Sequence, residues 1–298
     1  MYDPKMMAQM TSGKGFIAAL DQSGGSTPGA LRGYGIPDTA YSNDTEMFEA
    51  VHAMRVRIIT APSFTGDKVI ATILFEQTMD GLALGQPVPS YLWQERGIVP
   101  FLKVDKGLLP EADGVQLMKP IPDLDALLKR AVGLGIFGTK ARSVVNLASP
   151  TGIEAIVAQQ FELGRQIASH GLVPILEPEA RISSPERGAA EELLLAAILR
   201  HLDTLDADTK VMLKLSIPEK PDLYAPLVAH PNVIRVVALS GGFSRTEACR
   251  QLSENHGMIA SFSRALISDL RHEMTDEAFD AALAAAIDEI YQASTVKV

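Results

Sequence analysis

The sequence predicts an α/β fold, an eight-stranded parallel (β/α)8 TIM barrel, on three observations. Short apolar, often β-branched runs alternate with longer amphipathic stretches eight times. The 298 residues suit one such barrel, which takes ~250 residues. Charged residues spaced two apart collect at the C-terminal ends of several runs, where barrels of this kind carry their sites. An open doubly wound sheet is the alternative arrangement of the same alternation.

The eight runs are 15–21, 69–76, 99–105, 136–142, 172–179, 210–216, 233–240 and 258–262. Each is β-branched or continuously apolar, as strands covered on both faces should be. The intervening segments read as helices, several with start signals. Asn43 stands three residues before Glu46, ahead of an apolar set of Met47, Phe48, Val51 and Met54. Thr151 with Glu154 and Ser244 with Glu247 have capping-box spacing, and Ser184-Pro185 places a cap before a proline at the first helical position. From about 276 to 292, Phe279, Leu283, Ile287 and Ile290 form a helical stripe. The Gly-, Ser- and Pro-rich stretch 22–42 reads as a functional loop, and no linker divides the chain, so residues 1–298 are expected to form one catalytic domain.

Composition narrows the function class. Hydrophobic residues make up 47% and charged residues 21%, ordinary for a globular protein with a large core. The net charge of −9, with no basic cluster, argues against nucleic acid as a partner. It leaves room for a phosphorylated substrate at a locally positive site. The N-terminus is polar, and no apolar run reaches the ~18 residues of a membrane span, so neither export nor a membrane partner is expected. A single cysteine, Cys249, forbids an intramolecular disulfide and, with eleven methionines, fits a reducing cytoplasm. The sequence sets no oligomeric state.

The charged pairs are Lys103/Asp105, Lys140/Arg142 and Glu177/Glu179, and Lys214/Ser216 has the same spacing. Residues two apart on a strand share a face. A charge turned toward the helix layer would be buried at high cost, so the pairs belong at the mouth of the lumen. Asp21 closes the first run and Ser240-Gly241-Gly242 the seventh in the same way. Any one pair reads equally well as a solvated strand end; convergence of four on one mouth favours a site.

None of the six histidines ends a strand or forms a metal-binding pair, so neither a metal nor another cofactor is expected. Lysines and carboxylates without a metal suggest imine chemistry. An amine that attacks a carbonyl must be neutral, a form that burial and neighbouring positive charge favour. Lys214, flanked by Leu213 and Leu215 and expected to share the mouth with Lys140, is the best-placed nucleophile. The Ser240-Gly241-Gly242 turn leads into a helix start at Ser244, and Arg264 follows the eighth run, so these two loops are the expected phosphate site.

Six motifs resemble the class I fructose-bisphosphate aldolases, in the family's order and in the manner of its shorter bacterial branch. They are Ala19-Leu20-Asp21-Gln22-Ser23-Gly24-Gly25-Ser26, Ile73-Leu74-Phe75-Glu76-Gln77-Thr78, Lys103-Val104-Asp105-Lys106-Gly107, Glu177-Pro178-Glu179, Leu213-Lys214 and Leu239-Ser240-Gly241-Gly242. The resemblance implies a metal-independent lyase of glycolysis and gluconeogenesis acting on a sugar phosphate, fructose 1,6-bisphosphate. It implies that Lys214 forms the Schiff base, Glu177 is the general acid/base and Asp21 assists cleavage between C3 and C4. Glu179 and Lys140 match neighbours that tune charge around the imine. Ser240, Gly241, Ser261 and Arg264 match the site of the C1 phosphate, with Gly242 in the same turn. Ser23, Ser26, Lys103 and Arg142 match residues toward the C6 phosphate.

The sequence departs from the longer animal enzymes in three ways. Ser263 stands where they have glycine, and Gln22 where they have a glutamate. Their extended C-terminal tail has no counterpart, and Tyr291, in the last helix, is not expected to replace its terminal tyrosine. Rival readings from the residues alone are another Schiff-base aldolase or transaldolase, a metal-free sugar-phosphate isomerase with Glu177 as base, and a catalytically silent binding barrel.

Overall fold

A computed structural model describes residues 3–22 and 27–298. All eight predicted runs are strands: β1 (Phe16–Leu20), β2 (Val69–Leu74), β3 (Val99–Lys103), β4 (Gly138–Val145), β5 (Val173–Ala180), β6 (Val211–Ser216), β7 (Val233–Leu239) and β8 (Met258–Phe262). Each pairs in parallel with its neighbours, β8 with β1 and β3 with β4 included, so the sheet closes into a barrel. Every residue of β1, β2, β6 and β8 is buried, as in a parallel sheet covered on both faces, and the pairing of β8 with β1 is what distinguishes the barrel from an open sheet.

Two apolar sets serve those two faces. Ile17, Ile70, Val99, Phe101, Val173, Ile175, Met212, Val237 and Ile259 fill the lumen. The alternate residues, among them Phe16, Leu74, Leu102, Leu176, Leu213 and Phe262, meet the helix layer. The lumen is a packed core, plugged at its N-terminal end by Met6 and Met10 of the helix Pro4–Ser12. The plug is fastened by Gln9, whose amide donates to the carbonyls of Ile70 (2.7 Å) and Gly97 (2.8 Å), and by Arg235, whose Nε donates to that of Met10 (2.9 Å). Its short span of polar and methionine residues gave no periodic signal to read.

Most helices begin where expected. Asn43 caps Asp44–Thr60 by accepting from the Glu46 amide, Ser244 caps Arg245–Ser253 by accepting from Glu247, and the last helix runs Asp276–Thr295. Two starts differ. The helix Pro150–Ser169 is capped by Ser149 rather than Thr151, because Pro150 already occupies the first turn and the cap must precede it. Ser184 instead accepts from the Glu186 amide in a turn, and the helix begins at Arg187. Between β6 and β7 the connecting helix is a single turn, Ala225–Val228. The β3–β4 connection adds a two-residue strand, Val115–Gln116, antiparallel to the end of β4.

Strand register sets the site. Lys103 lies beside Lys140, Arg142 beside Glu177, and Lys214 beside Val237, all at the C-terminal rim.

Candidate active site

A cavity of about 1280 Å³ opens at that rim. It is lined by Asp21, Lys103, Lys140, Arg142, Glu177, Glu179 and Lys214 on one side and by Ser240, Gly241, Ser261 and Arg264 on the other. Ser23 and Ser26 lie outside the described residues. Gly242 is not part of the lining; a Cβ there would come within 3.8 Å of Arg264 Nη2. Ser216, the partner of Lys214 in the two-apart pattern, turns its hydroxyl to the Ala180 carbonyl of the adjacent strand instead.

The charged side is one continuous network. Lys214 Nζ lies 3.0 Å from Glu177 Oε1, and Lys140 Nζ lies 2.9 Å from Glu177 Oε2 and 2.7 Å from Asp21 Oδ2. Asp105 Oδ2 is 3.8 Å from the same Lys140 amine, while Oδ1 takes Lys103 at 2.8 Å. Arg142 Nε holds Glu179 at 2.5 Å. Asp21, Asp105, Lys140, Glu177 and Lys214 are each no more than 8% exposed. In so dry a site each charge is viable only because an opposite charge touches it.

Ionisation is fixed accordingly. Burial alone would push the Asp21 carboxyl up, but the charges of Lys140 and Lys214 outweigh it and hold the group well below the usual carboxylate range. Glu177 and Asp105 are lowered by the same contest, burial against the nearby lysines. Burial opposes the charge on Lys140, yet Asp21, Glu177 and Asp105 keep its amine well above the ordinary lysine range. Asp21 and Glu177 are therefore proton acceptors at neutral pH, and Glu177 Oε1 is in place to take a proton from Lys214.

The opposite side offers donors without protein partners. Among the described residues the buried Ser261 hydroxyl has no hydrogen-bond partner and Arg264 makes no ion pair. Gly241 and Gly242 take φ of 60° and 115°, a left-handed path that side-chain-bearing residues avoid, which turns the chain sharply from β7 into the helix capped at Ser244. Such a loop suits an anion.

Two contributors had no individual role assigned from the sequence. Asp105 was visible as the partner of Lys103, but its contact with Lys140 needs the β3–β4 pairing. Arg55 is buried on the apolar face of Asp44–Thr60 and donates to the Gln22 carbonyl and to Thr78 Oγ1 (2.8 Å). Burial pushes its guanidinium down to about 10, with Asp21 opposing. An arginine in line with Val51 and Ile59 was the only clue. The two positions that depart from the animal pattern touch each other: Gln22 Nε2 donates to Ser263 Oγ at 2.6 Å. The histidines stay in the helix layer, for example His170 with Asp125 and His201 with Glu154. Among the described residues no group of three His, Cys, Asp or Glu side chains is arranged to hold a metal ion.

The chain is similar to known proteins over nearly its whole length. The family model for fructose-bisphosphate aldolase class-I matches residues 5–205, from the plug helix to just before β6. A fructose-bisphosphate aldolase class 1 from Synechocystis is 57% identical over 290 residues, covering 97% of both chains. One from Porphyromonas gingivalis is 53% identical over 290 residues, covering 97% of this chain and 98% of its own. The solved fructose-bisphosphate aldolase of Plasmodium falciparum superposes with a TM-score of 0.76 at 20% identity, over 98% of this chain and 94% of that one, which places the barrel among known folds. With full-length relatives at this identity, the chain belongs to the class I fructose-bisphosphate aldolases.

Proposed function

We propose that residues 1–298 act as one catalytic unit that cleaves fructose 1,6-bisphosphate reversibly to dihydroxyacetone phosphate and glyceraldehyde 3-phosphate, with Lys214 as the nucleophile. The observation that carries the assignment is the chain of contacts from Lys214 through Glu177 and Lys140 to Asp21. It supplies an amine, a proton acceptor within 3.0 Å of it, and a second ionised carboxylate tied to the first through one ammonium.

Glu177 takes a proton from Lys214, Nζ adds to the ketone carbon, C2, and Glu177 hands that proton to the ketone oxygen, giving the carbinolamine. Glu177 then takes the second proton that the nitrogen sheds and passes it to the carbinolamine hydroxyl, so that water leaves and a protonated imine remains. Asp21 then takes the proton of the C4 hydroxyl. The C3–C4 electron pair flows into the imine, glyceraldehyde 3-phosphate departs, and an enamine is left on Lys214. Protonation at C3 and addition of water release dihydroxyacetone phosphate. Lys140 holds Asp21 and Glu177 ionised, and Glu179 orients Arg142. Ser240, Gly241, Ser261 and Arg264 bind the C1 phosphate, and Gly242 completes the turn that carries the first two. Lys103 and Arg142, with Ser23 and Ser26, serve the C6 phosphate.

A glycolytic and gluconeogenic enzyme of the cytoplasm fits the rest of the molecule. Cys249 is free and buried, the net charge is −9, and no helix among the described residues is long and apolar enough to cross a membrane. We assign no nucleic-acid or membrane partner. Borohydride reduction in the presence of dihydroxyacetone phosphate tests the nucleophile. Mass spectrometry should find one ligand, in the peptide containing Met212-Leu213-Lys214-Leu215. An adduct on Lys140 or Lys103 would move the nucleophile, and an active enzyme without any adduct would end the Schiff-base assignment.

A further inference from the structure

The hydroxyl of Ser263 is oriented by an amide that reaches it from the far end of the sequence. Gln22 follows Asp21 at the close of β1, and its Nε2 donates to Ser263 Oγ at 2.6 Å, tying β1 to the loop after β8. The backbone behind that amide is fixed, since the Gln22 carbonyl accepts from the buried Arg55, which is itself held by Thr78. An amide nitrogen only donates, whereas a serine hydroxyl offers one proton and two acceptor sites. Gln22 Nε2 occupies an acceptor site and leaves the Ser263 proton available to another acceptor, while Gln22 Oε1 is buried without a partner among the described residues. The Ser263 hydroxyl does not cap the helix turn Arg264–Ile267 that it precedes. Ser263 lines the cavity between Ser261, whose buried hydroxyl has no partner among the described residues, and Arg264.

We propose that the Ser263 hydroxyl is an additional donor to the C1-type phosphate of the substrate, and that Gln22 is the positioning residue that fixes the direction of its proton. The proposal rests on the placement of that phosphate at the β7 and β8 loops. The neutrality of Gln22 matters as much as its reach. A carboxylate there would accept the serine proton, reversing the bond, and would set a negative charge beside the phosphate.

The test is steady-state kinetics with fructose 1,6-bisphosphate, with inorganic phosphate as competing inhibitor, on variants whose melting temperatures match the parent. Ser263→Ala should raise both KM and the phosphate inhibition constant about tenfold, the worth of one hydrogen bond to a charged group, with kcat little changed. Ser263→Thr keeps the hydroxyl and should restore both. Gln22→Met should weaken binding in the parent but add nothing in the Ser263→Ala background, the signature of two residues acting as one. Gln22→Glu should weaken it more than Gln22→Met. Arg264→Ala is the reference for the phosphate position. If it weakens phosphate binding while the Ser263 and Gln22 variants do not, the proposal is overturned and the phosphate placement stands. If Arg264→Ala also changes nothing, both are wrong. A fall in kcat at constant KM in Ser263→Ala, or additive effects in the double variant, would likewise overturn it.

Discussion

The two walls of the cavity are built on opposite principles. On the wall of β1, β4, β5 and β6 the charges are matched: buried Lys214 with Glu177 and Lys140 with Asp21 and Glu177, and half-buried Arg142 with Glu179. On the wall of β7 and β8 the groups are left open: a buried Ser261 hydroxyl with no partner, and a guanidinium, Arg264, with no ion pair among the described residues. A matched wall sets protonation states before any substrate arrives, as acid–base chemistry requires. An open wall waits for a charge that only the ligand brings. Leaving a buried polar group unbonded costs about 1–3 kcal/mol, a cost that disappears when the phosphate binds.

The contrast predicts that substitutions on the matched wall damage chemistry and those on the open wall damage affinity. The largest effect should come from Lys214→Met, which keeps bulk and removes the amine. Turnover and the borohydride adduct should both vanish while circular dichroism shows a folded protein. Residual turnover near the parent rate would mean that another group attacks the ketone.

Lys140→Met should come next, because it strips the shared cation from two buried carboxylates. Breaking a buried pair costs about 3–5 kcal/mol, read as a lower melting temperature. The remaining carboxylates should protonate more readily, so the acid limb of the rate profile should move to higher pH. A variant with parental stability and pH profile would show that Lys140 does not set their ionisation.

On the open wall, Arg264→Ala should weaken both the bisphosphate and dihydroxyacetone phosphate by roughly ten- to hundredfold, since a charged hydrogen bond is worth ~1.5–3 kcal/mol. Calorimetric titration of each ligand checks this, and unchanged affinity for both would place the phosphate elsewhere.

A smaller, graded effect concerns pH and stability. Asp21, Glu177 and Asp105 are held below their ordinary values of 3.8, 4.5 and 3.8. Their contribution to stability is therefore complete above about 4.5 and is lost as pH falls through their depressed folded values. Lys140, held above its ordinary 10.5, contributes fully below that value and loses its contribution as pH rises through its folded one. Melting curves should show the acid-side loss, and Glu177→Gln should make it shallower; an equal slope in that variant would remove Glu177 from the account. The smallest effect expected is none at all: exhaustive EDTA treatment should leave the rate unchanged, and loss with recovery on zinc would contradict the metal-independent assignment.

Much of this molecule is legible in its sequence, and the readable parts share a cause. A strand covered on both faces is mostly apolar, so runs such as β1, β2, β3 and β8 stand out in the sequence. A charge interrupting such a strand near its end has only the rim to occupy, so Lys103, Lys140, Glu177 and Lys214 mark the site before any contact is known. Capping went astray only at Thr151 and Ser184, where a neighbouring proline and a local turn moved the helix start by two residues or so.

What the sequence determined by itself is the set of strands, the strand–helix alternation and the inventory of charges at one end, because these follow from local periodicity and from the cost of burying a charge. Tertiary structure alone decided which charges touch: that Lys140 bridges Asp21 and Glu177, that Asp105 joins them, that Arg55 supports Gln22, and that Gln22 reaches Ser263 across 241 residues. Met6 and Met10 as the barrel's floor belong to the same class. Partner choice depends on barrel closure, strand register and the rotamers that packing allows, and those are properties of the whole closed sheet that no single segment encodes.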